Sequence, residues 1–267
     1  MDEDRSRDRV QSIERGVAVL RAFEGRDAAL RASDIAARVA LPRPVVRRIL
    51  LTFEHIGYVQ FRNGLWSLTP RILELSAGYF ASASLPEVAY PIMSEVVERT
   101  GETCSVGVLD AGEIIHVARV EESRPLVPDA VRVGTRLPAH ATAIGKALLA
   151  VETDAALAAY FHDAKLEEYT PRTITTEPAL RARLDIVRAR GYDVSIEELV
   201  PGMVAAAVPI MMGKVAVGGL TVSSTTVRED EASLVSRIIP VLREAAQRIG
   251  QTYRSVNPQL YRAADVS

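Results

Sequence analysis

The sequence predicts an α+β protein: an N-terminal winged helix-turn-helix, a linker helix, and a larger C-terminal domain built on a central antiparallel sheet. Three observations carry this. Three short amphipathic segments follow one another between residues 12 and 56, joined by links of a few residues. An Asn63-Gly64 pair then separates two short apolar runs, the strongest local signal for a two-residue hairpin. Residues 86–250 alternate helix and strand patterns with two further hairpin signals, an order that suits a sheet flanked by helices.

Residues 1–10 are dense in charge, with no apolar run behind them, so neither a secretory signal nor a membrane span is expected and the protein is expected to be cytoplasmic. The single cysteine, Cys104, excludes an internal disulfide framework and a cysteine-cluster metal site. The net charge of −2 is unevenly spread. Residues 1–75 hold 13 Arg against 10 acidic residues, while the remainder holds 19 basic against 24 acidic. A basic region on an acidic one places any polyanionic partner at the N-terminal end.

Residues 11–70 form the first domain. Its first helix runs from Ser12 to Phe23, with Ile13, Val17, Leu20 and Phe23 at helical spacing, Glu14, Arg15 and Arg21 opposite, and Gly25 as terminator. The second covers about Ala32 to Val39. After Ala40-Leu41-Pro42, the third covers about Pro42 to His55, with Pro42 and Pro44 tolerated in its first turn. Ala40 stands where many such turns carry glycine, a position that alanine accepts at a cost of about 1 kcal/mol. Val46, Ile49, Leu50, Phe53 and Ile56 form the apolar stripe of the third helix.

Its polar face carries Arg43, Arg47, Arg48 and Thr52. In a helix-turn-helix this element lies in the major groove, where a guanidinium fork can pair with guanine or clasp a phosphate. A solvated arginine-rich face is the alternative, in a chain with 29 Arg and 3 Lys. The hairpin around Asn63-Gly64 argues against it, since a hairpin directly after a recognition helix is a wing. Arg62 at its tip, and Arg15, complete the candidates for contact with operator DNA.

Thr69-Pro70 reads as an N-cap and first helical position, starting a linker helix over 71–85. Ile72, Leu75 and Tyr79 line one side, with Leu73 and Phe80 beside them. This surface is expected either to make a dimer contact, as a two-fold DNA site requires, or to pack on its own domain. The second domain, 86–254, starts with a helix from Pro86 to Thr100. Two strands follow, from Thr103 and from Glu113, joined by Asp110-Ala111-Gly112. Next come a loop with Ser123, Pro125 and Pro128, and the stretch Val131-Arg132-Val133. A helix crowded with small residues follows His140, and two polar helices occupy much of 153–190. A hairpin of Val204–Ile210 and Val215–Val222 precedes a last helix over Arg228–Tyr253, and residues 255–267 form a tail.

Several segments together resemble the IclR family of bacterial regulators. They are Ser12-Ile13-Glu14-Arg15-Gly16, Arg48-Ile49-Leu50, Gly57-Tyr58-Val59, Pro138 to Thr142 with Gly145-Lys146-Ala147-Leu148, and Glu197-Glu198 before Gly202. Arg47 to Thr52, Leu68 to Leu75, Ser105-Val106 and Val117 to Val120 are similar to the branch controlling aromatic-acid catabolism through the β-ketoadipate route. Pro44, Val127-Pro128-Asp129 and Met211-Met212 depart from it. The resemblance implies a GAF-like effector domain, a homodimer or dimer of dimers, and a small carboxylate or aromatic acid as effector.

By motif, the implied pocket takes Ala143, Ile144, Ser195, Ala205, Thr221 and Ser223. Ser105, Arg119 and His140 are further candidates, Arg119 either pairing with a carboxylate or tied to Glu121 or Glu122. Another small-metabolite acid is the alternative effector. No catalytic residue, metal site or cofactor is expected. Cys104 reads as a structural thiol, the four histidines lack ligand spacing, and no glycine-rich phosphate loop is present.

Overall fold

The computed structural model describes residues 10–24, 29–82, 85–122 and 131–258. Gly25, Ala83, the loop with Ser123, Pro125 and Pro128, and Val127-Pro128-Asp129 lie outside these residues. The chain divides into two units, 1–82 and 83–267.

In the first unit α1 (Gln11–Arg21), α2 (Ala32–Arg38) and α3 (Arg43–His55) surround a core of Val19, Phe23, Ile35, Val46 and Leu50. The buried side of α1 is Gly16, Val19, Ala22 and Phe23, not the expected Ile13–Val17 line. Those two side chains are 64% and 51% exposed. The 3.6-residue period admits two neighbouring stripes on α1, and Phe53 decides between them by packing on Gly16, where a Cβ would lie 3.4 Å from its ring. Arg38 Nη1 donates to Ala22 O at 2.9 Å, tying the end of α2 to the end of α1. Between α2 and α3 the backbone turns through Ala40 with φ at +50°, the left-handed conformation expected there.

β1 (Val59–Arg62) and β2 (Leu65–Leu68) pair antiparallel around Asn63 and Gly64, both at positive φ. Trp66 also exchanges two backbone hydrogen bonds with Leu30, which anchors the hairpin to the segment before α2. Thr69 caps the following turn, its hydroxyl accepting from Arg71 N–H. That turn is 3₁₀ over Pro70–Leu73 before α4 (Glu74–Ser82) begins, so the expected single linker helix has two parts. Leu73 and Leu75 are 68% and 60% exposed.

The second unit is a six-stranded antiparallel sheet in the order β5-β4-β3-β8-β7-β6. Its strands are β3 (Thr103–Asp110), β4 (Glu113–Val120), β5 (Arg136–Pro138), β6 (Asp193–Ile196), β7 (Met203–Met212) and β8 (Val215–Thr225). The expected stretch Val131–Val133 is not a strand; the edge strand comes at Arg136, where Leu137 pairs with Ile114. β6, Asp-Val-Ser-Ile, alternates polar and apolar over only four residues, too short a run to stand out from its surroundings, and its pairing with β7 reveals it.

One face of the sheet is covered by α5 (Leu85–Thr100) and α9 (Ile239–Val256), which bury Ile92, Met93, Leu242 and Ile249 against it. The last helix starts later than Arg228: a turn at Glu231–Ser233 and a π-helical turn at Leu234–Ile238 lead into α9. The other face carries α6 (Ala143–Leu149) and α8 (Glu177–Arg190), with α7 (Asp154–Asp163) beside them. α6 lies unusually close to its surroundings. A Cβ on Gly145 would sit 2.2 Å from Ala139 O, and Ile144 fills a notch where Gly107 and Gly219 lack side chains. Only glycine at 145 permits this approach.

Candidate functional site

The outward face of α3 is set by what its inward face buries. With Val46 and Leu50 fully buried, Arg43, Arg47, Arg48 and Thr52 are turned to solvent. Arg47 and Arg48 project about 100° apart around the axis. Among the described residues none of the three arginines has an ion-pair or hydrogen-bond partner. The Thr52 hydroxyl donates to Arg48 O at 3.0 Å, which leaves its oxygen free to accept. Arg62 is exposed beside the hairpin turn, and Arg15 is half-buried on α1. Unpaired guanidinium groups on a helix and at a hairpin tip form a surface suited to phosphates and guanine edges.

In the second unit a cavity of about 110 Å³ opens between the sheet and α6. An apolar cavity of about 150 Å³ holds benzene, so this one has the scale of a single ring or a short acid. Its floor follows from register. Thr103, Ser223, Ala205 and Ser195 stand side by side on β3, β8, β7 and β6, a row of small side chains across four strands. Thr221 lies in the neighbouring row, level with Ser105 and Arg119. Ala141, Thr142, Ala143 and Ile144 form the roof.

Of the expected pocket residues, Arg119, Ala143, Ile144, Ser195, Ala205, Thr221 and Ser223 line this cavity. Ser105 and His140 do not. Ser105 Oγ lies behind Arg119 and accepts from its Nη1 at 3.4 Å. His140 is buried with Nε2 3.0 Å from Glu167 O, its ring near Tyr169. Arg119 is tied to Glu121, one of the two expected alternatives, with Nε 2.9 Å from Oε1, and it also borders the cavity. Nη2 has no hydrogen bond or ion pair among the described residues.

His116, Glu102, Glu198, Thr225 and Arg228 also line the cavity and were not expected. His116 and Arg119 are three residues apart, so regular alternation would put them on opposite faces. A bulge opposite Val106 and Gly107 changes that: Val117 and Ala118 both pack toward α5 and α9, and His116 and Arg119 both face α6. His116 is buried with neither ring nitrogen hydrogen-bonded among the described residues. Burial, reinforced by the Arg119 charge, pushes its pKa down to about 4, so the ring is neutral.

Arg228 closes one end, pairing with Glu102 at 2.8 Å and Glu122 at 2.9 Å. Burial raises the Glu102 carboxyl. Lys146, on α6, is fully buried; its ammonium meets Glu198 Oε1 at 2.5 Å and Asp193 Oδ2 at 3.4 Å. Asp193 Oδ1 in turn accepts from Arg183. A lone lysine in the apolar run Ala143 to Ala150 was the sequence signal for this network. Asp193 Oδ2 apart, the buried side-chain atoms without a hydrogen-bond partner among the described residues belong to His116, Glu198, Ser224 and Thr225. All four line the cavity.

Cys104 is buried, and burial holds its thiol well above the ordinary value. No group of three metal-ligating side chains occurs among the described residues, and none of their helices is long and apolar enough to cross a membrane.

Residues 12–62 match the IclR helix-turn-helix domain and residues 77–251 match the family described as bacterial transcriptional regulator IclR C-terminal. The p-hydroxybenzoate hydroxylase transcriptional activator of Acinetobacter baylyi is 33% identical over 253 residues, covering 93% of each chain. The Pca regulon regulatory protein of Pseudomonas putida is 34% identical, covering 90% of this chain and 83% of its own. An IclR homolog from Microbacterium hydrocarbonoxydans, solved in complex with 4-hydroxybenzoate, superposes with a TM-score of 0.78 at 29% identity, covering 91% of this chain and 99% of its own.

Proposed function

The chain belongs to the IclR family of bacterial transcriptional regulators, and on that premise we propose that the cavity between the sheet and α6 is the sensing site for a small aromatic carboxylate that governs DNA binding by α3 and the wing. The observation that carries this is the cavity itself. It has single-ring dimensions, a guanidinium at one flank and buried polar atoms lacking partners. One relative named above is a p-hydroxybenzoate hydroxylase transcriptional activator, another a Pca regulon regulatory protein, and the solved homolog holds 4-hydroxybenzoate, which supports an effector of that class.

The acid sits with its carboxylate at Arg119, over the row of Thr103, Ser223, Ala205 and Ser195. Arg43, Arg47, Arg48 and Thr52 address the major groove, with Arg62 and Arg15 on flanking phosphates. The protein works as a homodimer, or a dimer of dimers, in the cytoplasm. The exposed Ile13 and Val17 on α1 and Leu73 and Leu75 after the wing support self-association. It binds and releases its effector without turnover. Ligand alters DNA affinity by the difference in its binding free energy to the two arrangements of the DNA-binding units, transmitted through residues 69–85.

Gel shift with the gene's own upstream DNA, with and without benzoate, 4-hydroxybenzoate and protocatechuate, tests this directly. An acid that stabilises the protein to heat and changes the DNA half-saturation point supports the reading. DNA affinity unchanged by every acid that binds would overturn the coupling. A monomer at micromolar concentration would overturn the dimer.

A further inference from the structure

The motif Glu197-Glu198 remains without a role in this reading, and the geometry gives it one. Glu198 follows β6 and lines the cavity with its side chain more than nine-tenths buried. Both of its ends are fixed. Its carbonyl accepts from the Thr173 hydroxyl at 2.6 Å, and its Oε1 is held by the Lys146 ammonium. The preceding residue is held as firmly: Glu197 O accepts from Thr170, and Glu197 Oε1 accepts from Gly202 N–H. Glu198 Oε2 has no hydrogen-bond partner among the described residues. A rigidly held carboxylate with one oxygen paired and the other unpaired is a built acceptor, because an unpaired oxygen in a buried site costs free energy that a donor would recover.

The sheet order separates the two polar flanks. Arg119 and His116 belong to β4, and Glu198 follows β6, four strands further across the sheet. A carboxylate ligand is attracted to the first flank and repelled by the second. Glu102 and Glu122, the other carboxylates bordering the cavity, are engaged by Arg228.

We propose that the cavity reads its ligand from both ends, the carboxylate at Arg119 and His116 and a hydroxyl hydrogen donated to Glu198 Oε2, so that the effector is a hydroxylated acid and Glu198 is its specificity-determining residue. The inference rests on the sensing-site reading above. It adds the chemistry at the far end: a hydroxyl satisfies Glu198, whereas a hydrogen or an ether oxygen at the same place leaves it unpaired. A site built to hydrogen-bond a hydroxyl discriminates strongly against analogues lacking it.

The test measures affinity of the full-length protein by calorimetry for benzoate, 3-hydroxybenzoate, 4-hydroxybenzoate and 4-methoxybenzoate. One of the hydroxybenzoates should bind about ten-fold or more tightly than benzoate, and 4-methoxybenzoate no better than benzoate. In Glu198→Gln the preference should fall below about three-fold, and 4-methoxybenzoate should gain relative to benzoate, since the amide can donate to an ether. Glu198→Asp keeps the charge near Lys146 but withdraws the oxygens, and should lose the preference too.

If neither variant folds, the hydroxyl-to-methoxy ratio in the unaltered protein decides the matter. Equal binding of benzoate and both hydroxybenzoates would overturn the role of Glu198 and leave the aromatic-acid site standing. Failure of all four acids to bind would overturn the site reading and this inference together.

Discussion

Lys146 Nζ and Glu198 Oε1 lie 2.5 Å apart, with the lysine entirely out of water and the carboxylate nearly so. The pair joins α6, the roof of the cavity, to the loop after β6 that forms its far wall. Asp193 at 3.4 Å, itself held by Arg183, completes the neutralisation of the ammonium. Breaking such a pair on one side leaves an uncompensated buried charge. Lys146→Met should therefore lower stability by about 3–5 kcal/mol, while Lys146→Met combined with Glu198→Leu should recover a substantial part. Urea melts of the three proteins decide this; a double variant no better than the single one would show that the network is not a charge pair in energetic terms.

His116 makes stability depend on acidity. Its folded pKa is about 4, against 6.5 in the unfolded chain. As pH falls through 6.5 the unfolded chain takes up a proton that the folded protein refuses until about pH 4. Stability from this group is thus full above pH 7 and declines between 6.5 and 4, by about 2 kcal/mol from pH 7.5 to pH 5. Paired carboxylates also weaken in acid, so the comparison is with His116→Gln. That variant should lose less stability over the same interval, and parallel curves for the two proteins would refute the assignment.

Gly145→Ala should be among the most damaging small substitutions in the chain. The added methyl lies 2.2 Å from Ala139 O, a backbone atom with no freedom to yield, so α6 must move from the sheet. A loss of about 3 kcal/mol or more is expected, together with weaker benzoate binding because Ala143 and Ile144 roof the cavity. Near-native melting with native affinity would mean that the helix accommodates the methyl by a route the packing does not suggest.

Ala40→Gly should act in the opposite direction. Ala40 holds φ at +50°, where its Cβ crowds the backbone, and glycine relieves this. Glycine also gains entropy in the unfolded chain, which offsets part of the gain. A net stabilisation of up to about 1 kcal/mol is expected, read as a higher denaturation midpoint at unchanged slope.

Arg47→Ala should weaken operator binding by about 1–3 kcal/mol and relax preference at one base pair if the guanidinium meets a base. A uniform loss across sequences, with a salt dependence shallower by about one ion, would make it a phosphate contact instead. Affinity measured on matched and mutated operators at two salt concentrations separates these, and unchanged binding would remove Arg47 from the interface.

The first unit was legible almost residue by residue, since its signals are local. Asn63-Gly64 dictates the hairpin, and Val46 and Leu50 orient α3. Even there, α1 buries Val19 and Ala22 where Ile13 and Val17 were equally compatible with the period. The cavity was only half legible. Its small residues were recovered through the family resemblance. His116 was hidden, because the bulge at Val117 reverses the alternation from which facing is inferred. Glu198 was hidden because its partner Lys146 is 52 residues away in the chain; a lysine inside an apolar run signals a buried charge, but no local pattern names its partner.

The sheet order carries a consequence for biosynthesis. β3 forms one side of its ladder with β4, its neighbour in the chain, but the other with β8, more than a hundred residues later. A ribosome releasing this chain delivers the complete DNA-reading unit, whose strand pairings all lie within residues 30–68, well before the strand that closes the sheet exists. Truncated products ending between the wing and β8 would therefore carry an operator-binding head with no means of responding to a metabolite. Quality control of such fragments then bears on the fidelity of gene regulation as well as on waste disposal.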